Sequence, residues 1–253
     1  MSMKQYLRLK VQAAKDRWSG DGKDKVRIDD ELPMNLRIGS RVQFAEAPFL
    51  LAGDATHVLY PGAETLLAAF SEVELGGMKT YRLYLDSRDD PEESAMLMLL
   101  MDDKGERVDE RYVFHEQYEL PLYHVAVNDV PEHEDETSAV DFWLAKDEGI
   151  LGMPLFHTPD ELVYERLWEH DQDIWLKPTS LNETIILDPY GEGTTEVEHL
   201  GTMLFARAFD GLGGVETQEY LLPTVERDND GFRVRIWVGL PLAAADIDLP
   251  DAI

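Results

Sequence analysis

The stretch at residues 72–85, EVELGGMKTYRLYL, decides the fold class that the sequence predicts. Strand-like residues flank Gly76 and Gly77, and two glycines at the centre of such a stretch are typical of a tight turn between antiparallel strands. The stretch therefore predicts a β-hairpin, and the whole chain is expected to be mainly β (α+β).

A second stretch, residues 196–209 (EVEHLGTMLFARAF), repeats much of the first when one extra residue, His199, is allowed. The coinciding positions are Glu72/Glu196, Val73/Val197, Glu74/Glu198, Leu75/Leu200, Gly76/Gly201, Met78/Met203 and Arg82/Arg207. This repetition predicts an internal duplication, with two related antiparallel β-meander halves.

The duplication divides the chain into five predicted parts. They are a basic amphipathic helix and linker (1–30), a first β-rich half (31–128), an acidic linker with a short helix (129–149), a second β-rich half (150–242) and a tail (243–253). Residues 128–138 (NDVPEHEDETS) are acidic and nearly without apolar side chains, as linkers are, and Ser138 is expected to cap a short helix over 139–147.

Periodicity and turn residues place the remaining strands. Besides the two repeated stretches, strands are predicted over 36–44, 56–60, 65–75, 95–101, 107–117, 122–127, 150–156, 162–169, 174–177, 183–187, 218–227 and 232–240.

Composition excludes several classes of protein. The 253 residues include no cysteine, which excludes a disulfide framework, a thiol nucleophile and a Cys-ligated metal site. The first residues, MSMKQYLRLK, have no apolar segment of the kind found in signal peptides, and no later run has the roughly 18 uncharged residues of a membrane span. A cytoplasmic protein is expected, with peripheral attachment to the inner membrane as an alternative.

Charge is unevenly distributed along the chain. Residues 1–27 contain eight basic and three acidic side chains, a net charge of +5, whereas the whole chain carries -28 and the remainder therefore -33. So much negative charge would repel a phosphate backbone, so nucleic acid is not expected as a partner. A basic segment attached to an acidic body is typical of an interaction element.

This basic segment is predicted to form an amphipathic helix over residues 2–18, because apolar residues recur at steps of three and four. The interaction residues expected on it are Lys4, Leu7, Arg8, Val11, Lys15 and Trp18. The apolar stripe would pack on the protein's own body or on a second copy in a homodimer. Alternatively, the helix would contact a partner protein or an anionic membrane surface.

In the segments at 82–84, 166–168 and 207–209 an arginine is followed two residues later by an aromatic residue, so each of these pairs lies on one face of its strand. These six residues are the candidate ligand-binding residues: Arg82, Tyr84, Arg166, Trp168, Arg207 and Phe209. Together they would suit a small anionic ligand such as a carboxylate or phosphate. The alternative is structural, with each arginine paired to an acidic side chain on a neighbouring strand.

Catalytic and cofactor motifs are absent from the sequence. His133 lies among acidic residues, but consecutive side chains cannot all face one ion, so no metal site and no cofactor are predicted. Carboxylate pairs of the kind that hydrolases use occur by chance in a chain with 51 acidic residues. The sequence therefore predicts a protein that is not an enzyme, with a carboxylate-based hydrolase as a remaining alternative.

Several segments resemble the YjfK-like family of uncharacterised bacterial proteins over about residues 33–242. They are residues 70–85 with their LGGMKTYRLYLD run, WL at 143–144 followed by GILG at 149–152, YERLW at 164–168, MLFAR at 203–207, and EYLL at 219–222 leading to IWVGL at 236–240. The resemblance implies no catalytic residue. Members are commonly encoded beside relatives of phage-shock protein A and small membrane proteins, which implies a role in envelope stress. Together with the charge division, it predicts a non-enzymatic accessory or adaptor protein for a membrane-associated envelope-stress assembly.

Overall fold

The computed structural model describes residues 26–87, 94–121, 136–158, 160–168, 173–228 and 231–250. Most of these residues lie in antiparallel strands, which confirms the prediction of a mainly β protein. The predicted helix over 2–18 with its six interaction residues, the strand over 122–127 and most of the acidic linker lie outside the described residues.

The described part of the chain contains two α-helices, α1 (Ala47–Ala52) and α2 (Glu136–Leu144). Its strands are β1 (Arg41–Phe44), β2 (Thr65–Leu75), β3 (Met78–Ser87), β4 (Ser94–Met101), β5 (Val108–Pro121), β6 (Leu155–His157), β7 (Val163–Arg166), β8 (Thr179–Ile186), β9 (Thr194–Thr202), β10 (Phe205–Asp210), β11 (Glu216–Asp228), β12 (Gly231–Pro241) and β13 (Ile247–Asp248).

Eight of the strands close into a barrel. They neighbour one another in the order β12-β5-β4-β3-β2-β8-β9-β11, and β11 then pairs with β12 to complete the circuit. The first half of the chain contributes β2 to β5, and the second half contributes β8, β9, β11 and β12. The remaining strands extend the sheet, because β10, β7 and β6 continue from the first part of β11 and β1 joins β2 to β13.

The two repeated stretches have different structures. Residues 72–85 lie in the predicted hairpin of β2 and β3, with Gly76 and Gly77 at positive φ in the turn. Residues 196–209, in contrast, belong to β9 and β10, which both lie along β11 and share no ladder with each other. Gly201, the counterpart of Gly76, is inside β9. The internal duplication is therefore not confirmed.

Two further strand predictions were wrong, and in both places side chains take the backbone hydrogen bonds that a strand would need. Residues 56–60 form no strand, and the His57 amide donates to the Glu219 carboxylate instead. Residues 174–177 form no strand either, and the Ile174 carbonyl accepts from Arg166. Backbone groups satisfied by side chains do not require a neighbouring strand.

The barrel has an apolar outer face and an inner face that mixes apolar with charged side chains. The outer face packs against the helices and loops through residues such as Leu36, Phe49 and Trp143. The inner face is identified by a contact across the barrel. Strands β3 and β9 are separated by two strands, about 14 Å along a sheet, yet Arg82 Nη1 lies 3.5 Å from His199 Nε2. Two side chains can meet over that separation only if both point toward the concave, inner side of the barrel.

No helix among the described residues is both long enough and apolar enough to pass through a membrane.

Candidate functional site

A cluster of ionisable side chains lies inside the barrel. Its six members come from six of the eight strands, and their side chains are at most 5% exposed: Arg82 (β3), Glu116 (β5), Glu183 (β8), His199 (β9), Glu226 (β11) and Arg235 (β12). We call these six residues the inner cluster. Alternation explains their position, since each occupies an inward-facing place on its strand.

Glu183 is the centre of the inner cluster. Its side chain is fully buried, and it accepts hydrogen bonds from Arg82 Nη1 at 2.9 Å and from the Tyr84 hydroxyl at 2.6 Å. The Ser71 hydroxyl also donates to it, and His199 Nε2 lies 2.6 Å from its second oxygen. Donors from β2, β3 and β9 therefore converge on one carboxylate of β8.

These contacts change the proton affinity of the groups involved. Burial alone would raise the pKa of Glu183, but the charge of Arg82 and the hydrogen bond to His199 outweigh it and hold that pKa far below its ordinary value. Burial and the neighbouring Glu183 carboxylate raise the pKa of Tyr84 well above its ordinary value. Glu183 is thus an anion and Tyr84 a neutral donor throughout the neutral pH range.

The cluster continues from His199 across the other side of the barrel. His199 Nδ1 lies 3.5 Å from Glu226, and Arg235 binds Glu226 at 2.6 Å and Glu116 at 3.1 Å. The chain of contacts links β9, β11, β12 and β5, which are neighbours around the barrel. Buried charges need such partners, because an isolated charge in the interior would cost several kcal/mol.

A second buried carboxylate, Glu219 on β11, forms a separate centre. It accepts hydrogen bonds from the Thr56 hydroxyl at 2.7 Å and the His57 amide at 2.6 Å. The Tyr164 hydroxyl and Arg207 Nε each donate to its other oxygen at 2.7 Å. Glu219 therefore ties the loop before β2 to β7 and β10.

Arg207 also packs against two aromatic rings. Its guanidinium carbon lies 5.5 Å from the centroid of Tyr164 and 5.1 Å from that of Phe209. Burial would lower the pKa of Arg207, but Tyr164 and Glu219 outweigh it and raise that pKa. Burial, followed by the Glu219 charge, raises the pKa of Tyr164 above its ordinary value. The side chain of Arg207 is 13% exposed, so one edge of this centre is within reach of solvent.

Arg166 lies in a third environment. Its Nη1 donates to the carbonyl oxygens of Gly152 at 2.7 Å and Ile174 at 3.0 Å, and its Nε donates to Trp168 at 3.1 Å. The ring of Trp168 lies against the hairpin turn, where a Cβ on Gly76 would be 3.0 Å from Nε1. The arginine holds three loop segments in place.

The structure therefore does not bring the three predicted arginine and aromatic pairs to one centre. Arg82 and Tyr84 share Glu183, Arg207 and Phe209 lie at Glu219, and Arg166 binds backbone carbonyls. Binding of an anionic ligand by these residues stays a prediction, and a site formed by all three arginines together would need these contacts to break.

Sequence reasoning missed the carboxylates to which two of these arginines bind. A signal for Glu183 was present, because it lies between Leu181 and Ile185 at the inward positions of a strand. A charged residue at an apolar position of a strand indicates a buried partner. The partner, Arg82, is 101 residues away, and periodicity carries no information on such a distance.

Among the described residues, no group of three or more His, Asp or Glu side chains is arranged to hold a metal ion.

Comparison with known proteins places most of the chain in one family. The profile of a family described as a protein of unknown function, DUF2491, matches residues 14–248. No curated protein and no solved structure matches the chain. The matched range includes every residue of the inner cluster and the Glu219 centre, and leaves out the first 13 residues.

Proposed function

We propose that this chain, which belongs to the DUF2491 family of proteins of unknown function, is a non-enzymatic accessory or adaptor protein. Its place would be a membrane-associated assembly, at the cytoplasmic side of the inner membrane. The proposal includes a relationship to YjfK-like proteins and the role in envelope stress that this relationship implies.

The observation that carries the proposal is the state of the buried carboxylates. Glu183 is fully buried and already accepts three or more hydrogen bonds, and its pKa is far below its ordinary value. A general base must exchange protons with a substrate at the working pH and must be within reach of it. A carboxylate with these properties supports a role in holding strands together rather than in hydrolysis.

The division of charge supports a role at a surface. The first 27 residues carry a net charge of +5, and the remainder of the chain carries -33. A basic amphipathic segment would be attracted to anionic lipid, whereas the acidic body would be repelled by it. The body would then stay free to bind a partner protein while the segment contacts the membrane.

Vesicle flotation tests this proposal. The intact chain and a variant lacking residues 1–20 are each mixed with anionic and with uncharged vesicles. We expect the intact chain to float with the anionic vesicles only, and the shortened chain to remain at the bottom of the gradient. A third variant with Lys4, Arg8 and Lys15 changed to glutamine separates the charge from the apolar stripe. Equal flotation of the intact and shortened chains would rule out the membrane contact.

A second candidate function is binding of a small anion at Arg207, favoured by its contacts with the rings of Tyr164 and Phe209 and by its partly exposed side chain. Titration with inorganic phosphate, followed by calorimetry, tests it. The variant Arg207→Lys would lose the planar guanidinium and should bind more weakly. Identical heats for both proteins would exclude this candidate.

A further inference from the structure

The barrel has its fewest matched backbone pairs between β2 and β8. The two strands are neighbours, but among their described residues a single pair, Phe70 and Ile186, is matched across them. In contrast, β2 is matched to β3 along nearly its whole length, and β8 is matched to β9 from Thr179 to Ile186. The backbone edges of residues 71–75 and 179–185 therefore face each other without a ladder.

Side chains hold this seam together where the backbone does not. Ser71 on β2, with Arg82 and Tyr84 on β3, donates to Glu183 on β8. All of these contacts are on the inner face of the barrel. The inner cluster thus joins β2 and β3 to β8 through side chains inside the barrel. The backbone groups of residues 71–75 and 179–185 are not matched to each other across the seam.

A groove of about 900 Å³ opens along the same seam. It is lined by the last residues of β2, the first residues of β8, and the turns that follow β2 and β4. Val73 and Leu181 line it from the inner side, and Glu72 and Glu74 are exposed on the outer side. Two strand edges beside a groove are a template for an added strand, which would bind through its main chain.

The charges of the groove favour a basic occupant. Its lining includes Glu72, Glu74, Asp102 and Asp103 against two lysines, and one of these, Lys79, already binds Glu72 at 3.0 Å. Along a strand, alternate side chains face opposite sides. An added strand would therefore place one set of side chains toward Val73 and Leu181 and the other set toward the exposed glutamates.

We infer that this seam binds an extended peptide segment of a partner protein, in which apolar and basic residues alternate. The segment adds to the edge of β2 or β8, with its apolar side chains facing inward and its basic side chains facing Glu72 and Glu74. This inference rests on the adaptor function proposed above and names the surface and the chemistry of the partner.

The test uses the full chain, labelled with nitrogen-15, and a synthetic peptide of alternating lysine and valine. Two matched peptides serve as controls: one has N-methyl groups on alternate residues, which block strand pairing, and one has glutamate in place of lysine. We expect saturable shifts of the amide signals of residues 71–75 and 179–185. Both control peptides should bind at least about tenfold more weakly, which corresponds to about 1.4 kcal/mol.

Two protein variants complete the design. Glu74→Lys should weaken binding of the lysine and valine peptide by a similar factor, whereas Glu165→Lys, the same change at an exposed position of β7 outside the groove, should leave it unchanged. Equal affinity for the N-methylated peptide, or shifts confined to other strands, would overturn the inference. Tighter peptide binding after removal of residues 1–20 would show that the chain's own basic segment occupies the seam, which also overturns it. If the peptide does not bind but the intact chain still floats with anionic vesicles, peptide binding at the seam is refuted and the proposed adaptor function is not.

Discussion

Replacement of Glu183 by glutamine is expected to destabilise the barrel strongly. Glutamine keeps the size of the side chain but removes the negative charge on which Arg82, Tyr84 and Ser71 converge. Arg82 would then remain in the interior, only 3% exposed, without its carboxylate. Removal of one partner of a buried ion pair typically costs about 3–5 kcal/mol. We expect a loss of that size in the free energy of unfolding.

Urea denaturation followed by circular dichroism measures this loss. A matched control is Glu196→Gln, which removes an exposed carboxylate from the neighbouring strand β9 and should change the free energy of unfolding by less than about 0.5 kcal/mol. In the double variant Arg82→Met with Glu183→Gln, both charges are gone, so the loss should be smaller than for Glu183→Gln alone. If Glu183→Gln is no worse than Glu196→Gln, the inner cluster does not hold the barrel together.

The same variant gives a pH dependence whose sign follows from the structure. The pKa of Glu183 is lower in the folded chain than its ordinary value of 4.5, so the unfolded chain binds the proton more tightly. The contribution of Glu183 to stability is complete above about pH 5 and is lost as the pH falls below about 4.5. The intact protein should therefore lose stability more steeply between about pH 5 and pH 3 than Glu183→Gln. Parallel curves would contradict the assignment.

Three further changes test other parts of the structure. Glu219→Gln should speed hydrogen exchange at the His57 amide, which donates to Glu219 at 2.6 Å, and an unchanged exchange rate would count against this contact. Tyr164→Phe should remove an ionisation above pH 10 from the ultraviolet titration, because burial and Glu219 raise the pKa of Tyr164. The unfolded chain loses that proton at a lower pH than the folded chain, so the contribution of Tyr164 to stability decreases as the pH rises above 10. Superimposable ultraviolet titrations of the two proteins would refute the raised pKa of Tyr164. Gly239→Ala would place a Cβ 2.5 Å from the ring of Phe114 and should cost about 1–3 kcal/mol in urea denaturation; an unchanged midpoint would mean that the ring can move aside.

Local patterns predicted the strands of the long hairpins. The strand-like residues and turn glycines of residues 72–85 correspond to β2 and β3, and the predicted strands over 218–227 and 232–240 correspond to β11 and β12. These elements are formed by neighbours in sequence, so their information is local. The similar stretch at residues 196–209 gave a wrong prediction of a second hairpin. Its two strands, β9 and β10, each pair with β11, whereas β2 and β3 pair with each other.

The two arginine centres show where local information ends. The pairing of Arg with an aromatic residue on one face was visible in the sequence, and Arg207 does lie beside Phe209. The carboxylate that binds Arg82 was not predicted, because Glu183 lies on a strand that meets β3 only across β2 and the barrel interior. Arg207, in contrast, is paired with Glu219, which lies directly opposite it on the neighbouring strand β11, as the structural alternative expected. The conformation of residues 56–60, which form no strand, likewise depends on a distant residue, because Thr56 and His57 donate hydrogen bonds to Glu219.

The sequence by itself determined a mainly β chain with an uneven charge distribution, because alternation, turn glycines and charge are properties of adjacent residues. Only the tertiary structure decided that strands from both halves close one barrel, that buried glutamates bind its arginines, and that β2 and β8 are matched at a single pair of residues. The physical reason is that closure of the barrel and burial of Glu183 depend on contacts between residues more than a hundred positions apart, such as Phe70 with Ile186 and Arg82 with Glu183. No local pattern indicates which of the many acidic side chains will be buried.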